Sequence, residues 1–159
     1  MIDDEVTALV LALIVVGGMF AVSSTLLGER ISEPFSEIAV LGPEMKMSDY
    51  PNSTQVNETL NLYLYVANYE AQTTYYIVYV KLGSSNTIVN ATQPANAPII
   101  SSYEIILPIE QNTTLPIKLT FGKPMTDAKL IFEMWTLEKE GIQYSGKWNQ
   151  LWLNITAPA

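Results

Sequence analysis

The sequence predicts one N-terminal membrane-spanning α-helix followed by an all-β antiparallel sandwich of about seven strands. Three observations predict it. Residues Val6 to Leu27 contain no charge. After them, apolar and polar residues alternate in short runs, which is the period of strands and not of helices. Turn residues, among them Gly42-Pro43 and Glu140-Gly141, separate those runs.

A helix over the uncharged run rises about 33 Å, enough for a hydrocarbon core of roughly 30 Å. Asp3, Asp4 and Glu5 stand before it, where carboxylates favour the positive end of the helix dipole. A cleaved secretory signal has a basic leader and a shorter apolar core. Ala21, Ser23 and Ser24 offer small residues for cleavage, but the acidic leader and the length of the run favour a retained anchor. Ala8 and Ala12 are four apart, as are Gly17 and Ala21, on two different faces. Such spacing lets neighbouring helices, copies of this chain included, approach closely. The expected organisation is an anchor over residues 1–28, a linker over 29–34 and an extracellular sandwich over 35–159. The short connection reaches roughly 25 Å at most, so the sandwich is expected close to the membrane.

The strands follow in order. Phe35 to Leu41 is the first, stopped by Gly42-Pro43. From Leu60, residues Leu62, Leu64 and Val66 face one way and Asn61, Tyr63 and Tyr65 the other. Tyr75 to Leu82 repeats the pattern, with Tyr76, Val78, Val80 and Leu82 together. Ile99 to Ile109 and Leu115 to Phe121 come next, the second with Leu115, Ile117, Leu119 and Phe121 on its apolar face. Lys129 to Leu137 groups Leu130, Phe132 and Met134. After a hairpin turn at Glu140-Gly141, Trp148 to Thr156 groups Leu151, Leu153 and Ile155. Short strands in this number, without a helical pattern, point to an immunoglobulin-like architecture, although the Cys…Trp…Cys arrangement is missing. Gly83 to Pro98 is a long loop rich in Ser, Asn, Thr, Ala and Pro, of a length that is either functional or disordered.

Composition narrows the chemistry. Hydrophobic residues make up 48% of the chain, ample for a core, while cysteine and histidine are absent. That removes disulfides, thiolate nucleophiles, imidazole bases and nearly all zinc, copper and haem ligation. No acidic run has EF-hand spacing. Neither a metal nor a cofactor is expected. The net charge is −8 and Arg30 is the single arginine, so no basic patch exists to bind nucleic acid. Charged residues make up 15%, against about 25% in ordinary domains. A surface wetted by neutral polar groups loses few contacts as carboxylates protonate, which suits acidic surroundings and ordinary extracellular ones alike. A hydrolase without His or Cys needs paired carboxylates or a Ser/Lys pair. Glu133, Glu138 and Glu140 lie near a hairpin and read as solvated, and no glycine-rich phosphate loop is present. No catalytic residue is expected, and no enzyme.

Asn-x-Ser/Thr sequons begin at Asn52, Asn57, Asn90, Asn112 and Asn154, all beyond the helix and none with proline at the middle position. They predict an exported, N-glycosylated surface. Arg30, beside Glu29 and Glu33, is a faint opposing signal under the positive-inside rule. The expected topology is N-terminus inside and C-terminal domain outside. Trp135, Trp148 and Trp152, with Asn149 and Gln150 between the last two, either stack on sugars or, more often, fill a core or seal a sheet edge. Tyr63, Tyr65, Tyr75 and Tyr79 alternate toward the polar side of their strands. Such an aromatic stripe marks a protein interface, or is covered by the long loop or by glycans.

Several segments together resemble a known family. They are Pro34-Phe35-Ser36-Glu37, Leu41-Gly42-Pro43-Glu44, Asp49-Tyr50-Pro51, Tyr75-Tyr76-Ile77-Val78-Tyr79-Val80 and Leu151-Trp152-Leu153-Asn154-Ile155-Thr156. Over residues 34–156 the chain resembles the external β-sandwich half of an archaeal membrane-protein family, the domain-of-unknown-function family sixteen-sixteen. The resemblance implies an archaeal cell-surface domain with no catalytic residues to carry over. Members of that family place several spans before the domain, whereas this sequence shows one.

The function expected is a single-pass, membrane-anchored, N-glycosylated surface domain. It serves as a non-catalytic accessory subunit of a membrane complex or as a cell-envelope contact. Its partners are membrane lipid, other membrane or envelope proteins, N-linked glycans and further copies of itself. The alternative is a pilin-like subunit whose apolar helices form the core of a filament.

Overall fold

Helix α1 spans Asp4–Leu26 in the computed structural model, which describes residues 3–26 and 33–158. The chain divides into two units, Met1–Glu33 and Pro34–Ala159. In the first, the backbone N–H of Thr7 donates to the carbonyl of Asp3, so Asp3 starts the helix. The described side chains from Val6 to Phe20 are all exposed, and the large apolar ones run from 48% at Val10 to 75% at Phe20. Ala8 and Ala12 are among them, and a Cβ added at Gly17 meets nothing within 4 Å. The side chain of Ala21 lies outside the described residues, as does most of the expected linker. Counted over described residues alone, no helix is long and apolar enough to cross a membrane. The helical backbone itself continues through 23 residues.

The second unit is a β-sandwich. Its described strands are β1 (Phe35–Leu41), β2 (Ser53–Gln55), β3 (Leu60–Tyr69), β4 (Thr74–Gly83), β5 (Ile99–Leu107), β6 (Gln111–Leu119), β7 (Met125–Glu138) and β8 (Gly141–Thr156). They form a three-stranded sheet in the order β1-β3-β6 and a five-stranded sheet in the order β2-β8-β7-β4-β5. One core fills the space between the sheets. Leu62, Leu64, Val66 and Ile117 meet Tyr76, Val78, Leu130, Phe132 and Met134 there, and Leu153 and Ile155 close it. The period-two alternation of β-branched and aromatic residues commits each strand to one buried face. Tyr76 is fully buried, and its hydroxyl meets Ser36 at 2.8 Å and donates to Asn68 at 3.1 Å.

Four expectations need correction. Eight strands are described instead of about seven, and the extra one, β2, pairs parallel with β8, so the sandwich is not purely antiparallel. β2 has only three residues, too few to show a period. The last strand begins at Gly141 and not Trp148, because a bulge at Ser145-Gly146 shifts its register and hides the alternation. β5 ends at Leu107, leaving Ile109 in the turn, and β6 spans Gln111–Leu119. The four tyrosines do not make one stripe: Tyr63 and Tyr65 lie on β3 in one sheet, Tyr75 and Tyr79 on β4 in the other.

Candidate functional site: the two outer faces

Glu133, expected to be solvated, is fully buried on the outer face of the five-stranded sheet. Its carboxylate lies 2.8 Å from the Lys81 ammonium, whose side chain is 8% exposed. Two bare charges could not remain in so dry a place, since the desolvation cost of each is several kcal/mol, roughly. They are satisfied by the loop 84–98, which folds back over them. The backbone N–H of Ala95 donates to Glu133 and the carbonyl of Ala95 accepts from Lys81. A single loop residue is thus clamped by opposite charges through both of its main-chain groups. Trp135 Nε1 donates to the same carboxylate at 3.2 Å.

Three more contacts hold the loop. Lys129 donates to the carbonyl of Thr87 at 2.7 Å, and the Tyr144 hydroxyl donates to that of Asn90 at 3.0 Å. Gly146 has φ +74, and a Cβ added there would stand 2.5 Å from the carbonyl oxygen of Ala91. Only glycine combines that conformation with so close an approach. Beneath the loop, the Trp135 ring sits 5.7 Å from Tyr79 and 5.6 Å from Tyr144. Burial, with a further push from the Glu133 charge, raises the Tyr144 phenol to about 12. The long loop is therefore an ordered cover. The sequence signals for it were lone charges inside apolar runs: Glu133 between Phe132 and Met134, and Lys81 between Val80 and Leu82.

The cover stops short of one end of the sheet. There Ile106 stands opposite Tyr75, and Leu137 opposite Ile142. Tyr76 pairs with Thr136, which brings Tyr75 beside Leu137. The four form an apolar row across β5, β4, β7 and β8, with Ile106 68%, Leu137 52% and Ile142 46% exposed. The Tyr75 phenol is raised chiefly by the Glu104 carboxylate beside it. The three tryptophans also belong to this outer face and none fills the core. Trp148 and Trp152 pair with Glu133 and Lys129, and the Lys129 ammonium lies 4.9 Å from the Trp152 ring.

The second outer face is that of the three-stranded sheet. Tyr63 and Tyr65 are half-buried, and Tyr69 packs its ring 4.8 Å from that of Phe35. Asn112 shares this face, paired with Ala67 between Tyr65 and Tyr69. All five sequon asparagines, Asn52, Asn57, Asn90, Asn112 and Asn154, are exposed. Among the described residues no group of three or more His, Cys, Asp or Glu side chains is placed to hold a metal ion. No buried side-chain nitrogen or oxygen among them lacks a hydrogen-bond partner.

The model of the family described as "Domain of unknown function (DUF1616)" matches residues 30–154. Among curated proteins none matches the chain. Solved structures similar to it include the CARDB domain of the PF1109 protein from Pyrococcus furiosus, in complex with di-metal ions. That domain is 11% identical over 77% of this chain and 89% of its own, with a TM-score of 0.49. A beta-glucosidase from Listeria innocua is 11% identical over 78% of this chain and 16% of its own, with a TM-score of 0.48. The sporulation control protein Spo0M from Bacillus subtilis is 11% identical over 77% of this chain and 50% of its own, with a TM-score of 0.46. The chain thus spans about a sixth of the glucosidase and half of Spo0M.

Proposed function

The chain belongs to the domain-of-unknown-function family DUF1616, and from that premise we propose a membrane-anchored, N-glycosylated, non-catalytic surface module with an immunoglobulin-like sandwich. It acts as an accessory subunit of a membrane assembly or as a cell-envelope contact. One observation carries this reading: α1 is apolar on every described face from Val6 to Phe20 and buries none of it within its own unit. A helix apolar all round needs a bilayer or other helices around it. The exposed sequon asparagines support an exported surface. Of the three carboxylates weighed near the hairpin, Glu133 is engaged with Lys81 in holding a loop. For the contact surface we take the bare row of Tyr75, Ile106, Leu137 and Ile142, because an exposed aliphatic patch is where a partner gains most from excluding water.

The test is an alkaline carbonate wash of membranes holding the full chain, followed by the intact mass of the extracted protein. The chain is expected to stay with the membrane and to weigh more than its 17.7 kDa by glycan increments. Release by carbonate, or unmodified asparagines, contradicts the reading. Filaments that shear from the cells would replace it with the pilin-like alternative.

A further inference from the structure

Asn112 differs from the other sequon asparagines in what surrounds it. On β6, Asn112 and Thr114, the two ends of its sequon, face outward together, paired with Ala67 and Tyr65 of β3. Tyr69, two residues beyond Ala67, lies on the same face, and its ring is backed by Phe35. Adjacent strands are about 4.8 Å apart and same-face neighbours about 7 Å apart. The first sugar on Asn112 therefore begins between two tyrosine rings. Ala67, between Tyr65 and Tyr69 on β3, points outward and is still fully buried. Burial, together with the neighbouring Tyr69, raises the Tyr65 phenol.

The other four asparagines lack this setting. Asn52 and Asn57 flank β2 in short turns, and the Asn90 side-chain oxygen Oδ1 accepts from the Thr92 hydroxyl and the Gln93 backbone N–H. Asn154 has Trp152 two residues away, but the Lys129 ammonium occupies that ring, and the Asn154 side chain accepts from the backbone of Asp127.

We infer that the aromatic face of the three-stranded sheet is the seat of this chain's own Asn112-linked glycan, with Tyr65 and Tyr69 packing against the apolar C–H face of the first sugar. The inference rests on the N-glycosylation reading above. A pyranose offers C–H groups on one face and hydroxyls at its rim, which matches an aromatic surface that is apolar across the ring and wet at the hydroxyl. It also gives the tyrosines of this sheet a covalently supplied cover, in place of the loop that serves the other sheet.

The experiment uses the full chain, glycosylated by its own cells and extracted in mild detergent. Glycopeptide mass spectrometry reads each site, and thermal unfolding is followed by tryptophan fluorescence. Asn112→Gln is expected to lower the Tm by about 2–4 °C, the size of a modest contact in a chain of this length. Asn52→Gln, at an exposed sequon asparagine away from any tyrosine pair, leaves the Tm unchanged. In a Tyr65→Leu, Tyr69→Leu background, Asn112→Gln produces no further loss. If the ring variants do not fold, upfield-shifted sugar protons in the wild-type glycoprotein supply the same result. Modified asparagines elsewhere with a bare Asn112 would overturn the seat and leave the glycosylation reading standing. Five bare asparagines would overturn both. An occupied Asn112 whose contribution survives removal of both rings, or whose sugar protons are unshifted, would overturn the seat alone.

Discussion

The five-stranded sheet covers much of its outer face with its own loop, whereas the three-stranded sheet leaves tyrosine rings and a sequon asparagine facing outward. Aromatic rings stand on both faces, and the five-stranded one also carries Ile77, Ile131 and the three tryptophans. A further difference lies in Lys81 and Glu133. A carboxylate and an ammonium placed among apolar neighbours demand partners, and Ala95 supplies them only when the loop 84–98 lies down. Among the described residues the three-stranded sheet has no such pair on its outer face, and Glu37 and Lys118 there are exposed. Charge placed inside an apolar strand thus recruits cover, while tyrosine alone does not.

The comparison breaks most sharply at Glu133. Glu133→Gln leaves Lys81 charged and dry, and is expected to cost about 3–5 kcal/mol in thermal or denaturant unfolding. Replacing both, Lys81→Met with Glu133→Leu, costs less but still frees Ala95. Limited proteolysis should then cut within residues 84–98, where the wild type resists. By contrast, Tyr63→Ser on the three-stranded sheet removes only a half-buried ring and is expected to cost clearly less than Glu133→Gln, about 1–2 kcal/mol.

A smaller effect is expected at Gly146→Ala. It forces a side chain into the left-handed region, at about 1–2 kcal/mol, and drives its Cβ toward the carbonyl of Ala91. The loop should loosen near Asn90 while the ion pair holds, so cleavage shifts to the first half of the segment.

A further effect is alkaline. An unfolded phenol ionises near 10, whereas Tyr144 in the folded protein holds its proton to about 12. The unfolded chain sheds the proton first. Stability from this group is therefore complete below pH 10 and is lost as pH rises from there toward 12. Tyr144→Phe should flatten that part of the unfolding profile and remove roughly 0.5–1.5 kcal/mol for the lost bond to Asn90.

Much of this architecture is legible in the alternation of residues. β1 has the bounds that Phe35 to Leu41 predict, and the inward faces of β3, β4 and β7 are those predicted. A period of two specifies a face but not the partner strand. For that reason Tyr63 and Tyr79 looked alike in sequence, although the fold assigns them to different sheets. β2 is too short to carry a period, and the bulge in β8 breaks one. Glu133 lies toward a hairpin, which suggests solvation, whereas its neighbours Phe132 and Met134 belong to a buried run. Lys81, Lys129 and Ala95 act through main-chain groups of a loop, and such pairings have no pattern in the sequence of either element. The sequon of Asn112 is visible in sequence, but its position between Tyr65 and Tyr69 exists only once β3 and β6 pair.

The most direct measurement is the native mass and composition of the full chain extracted in mild detergent, for the wild type and for Ile106→Ser with Leu137→Ser and Ile142→Ser. These three side chains are exposed, so folding should survive their loss. The wild type is predicted in a discrete larger species with companion chains, and the triple variant as a lone chain with unchanged thermal unfolding. A wild type that already runs alone, or a triple variant that keeps its companions, would contradict the assignment of the apolar row as the contact surface.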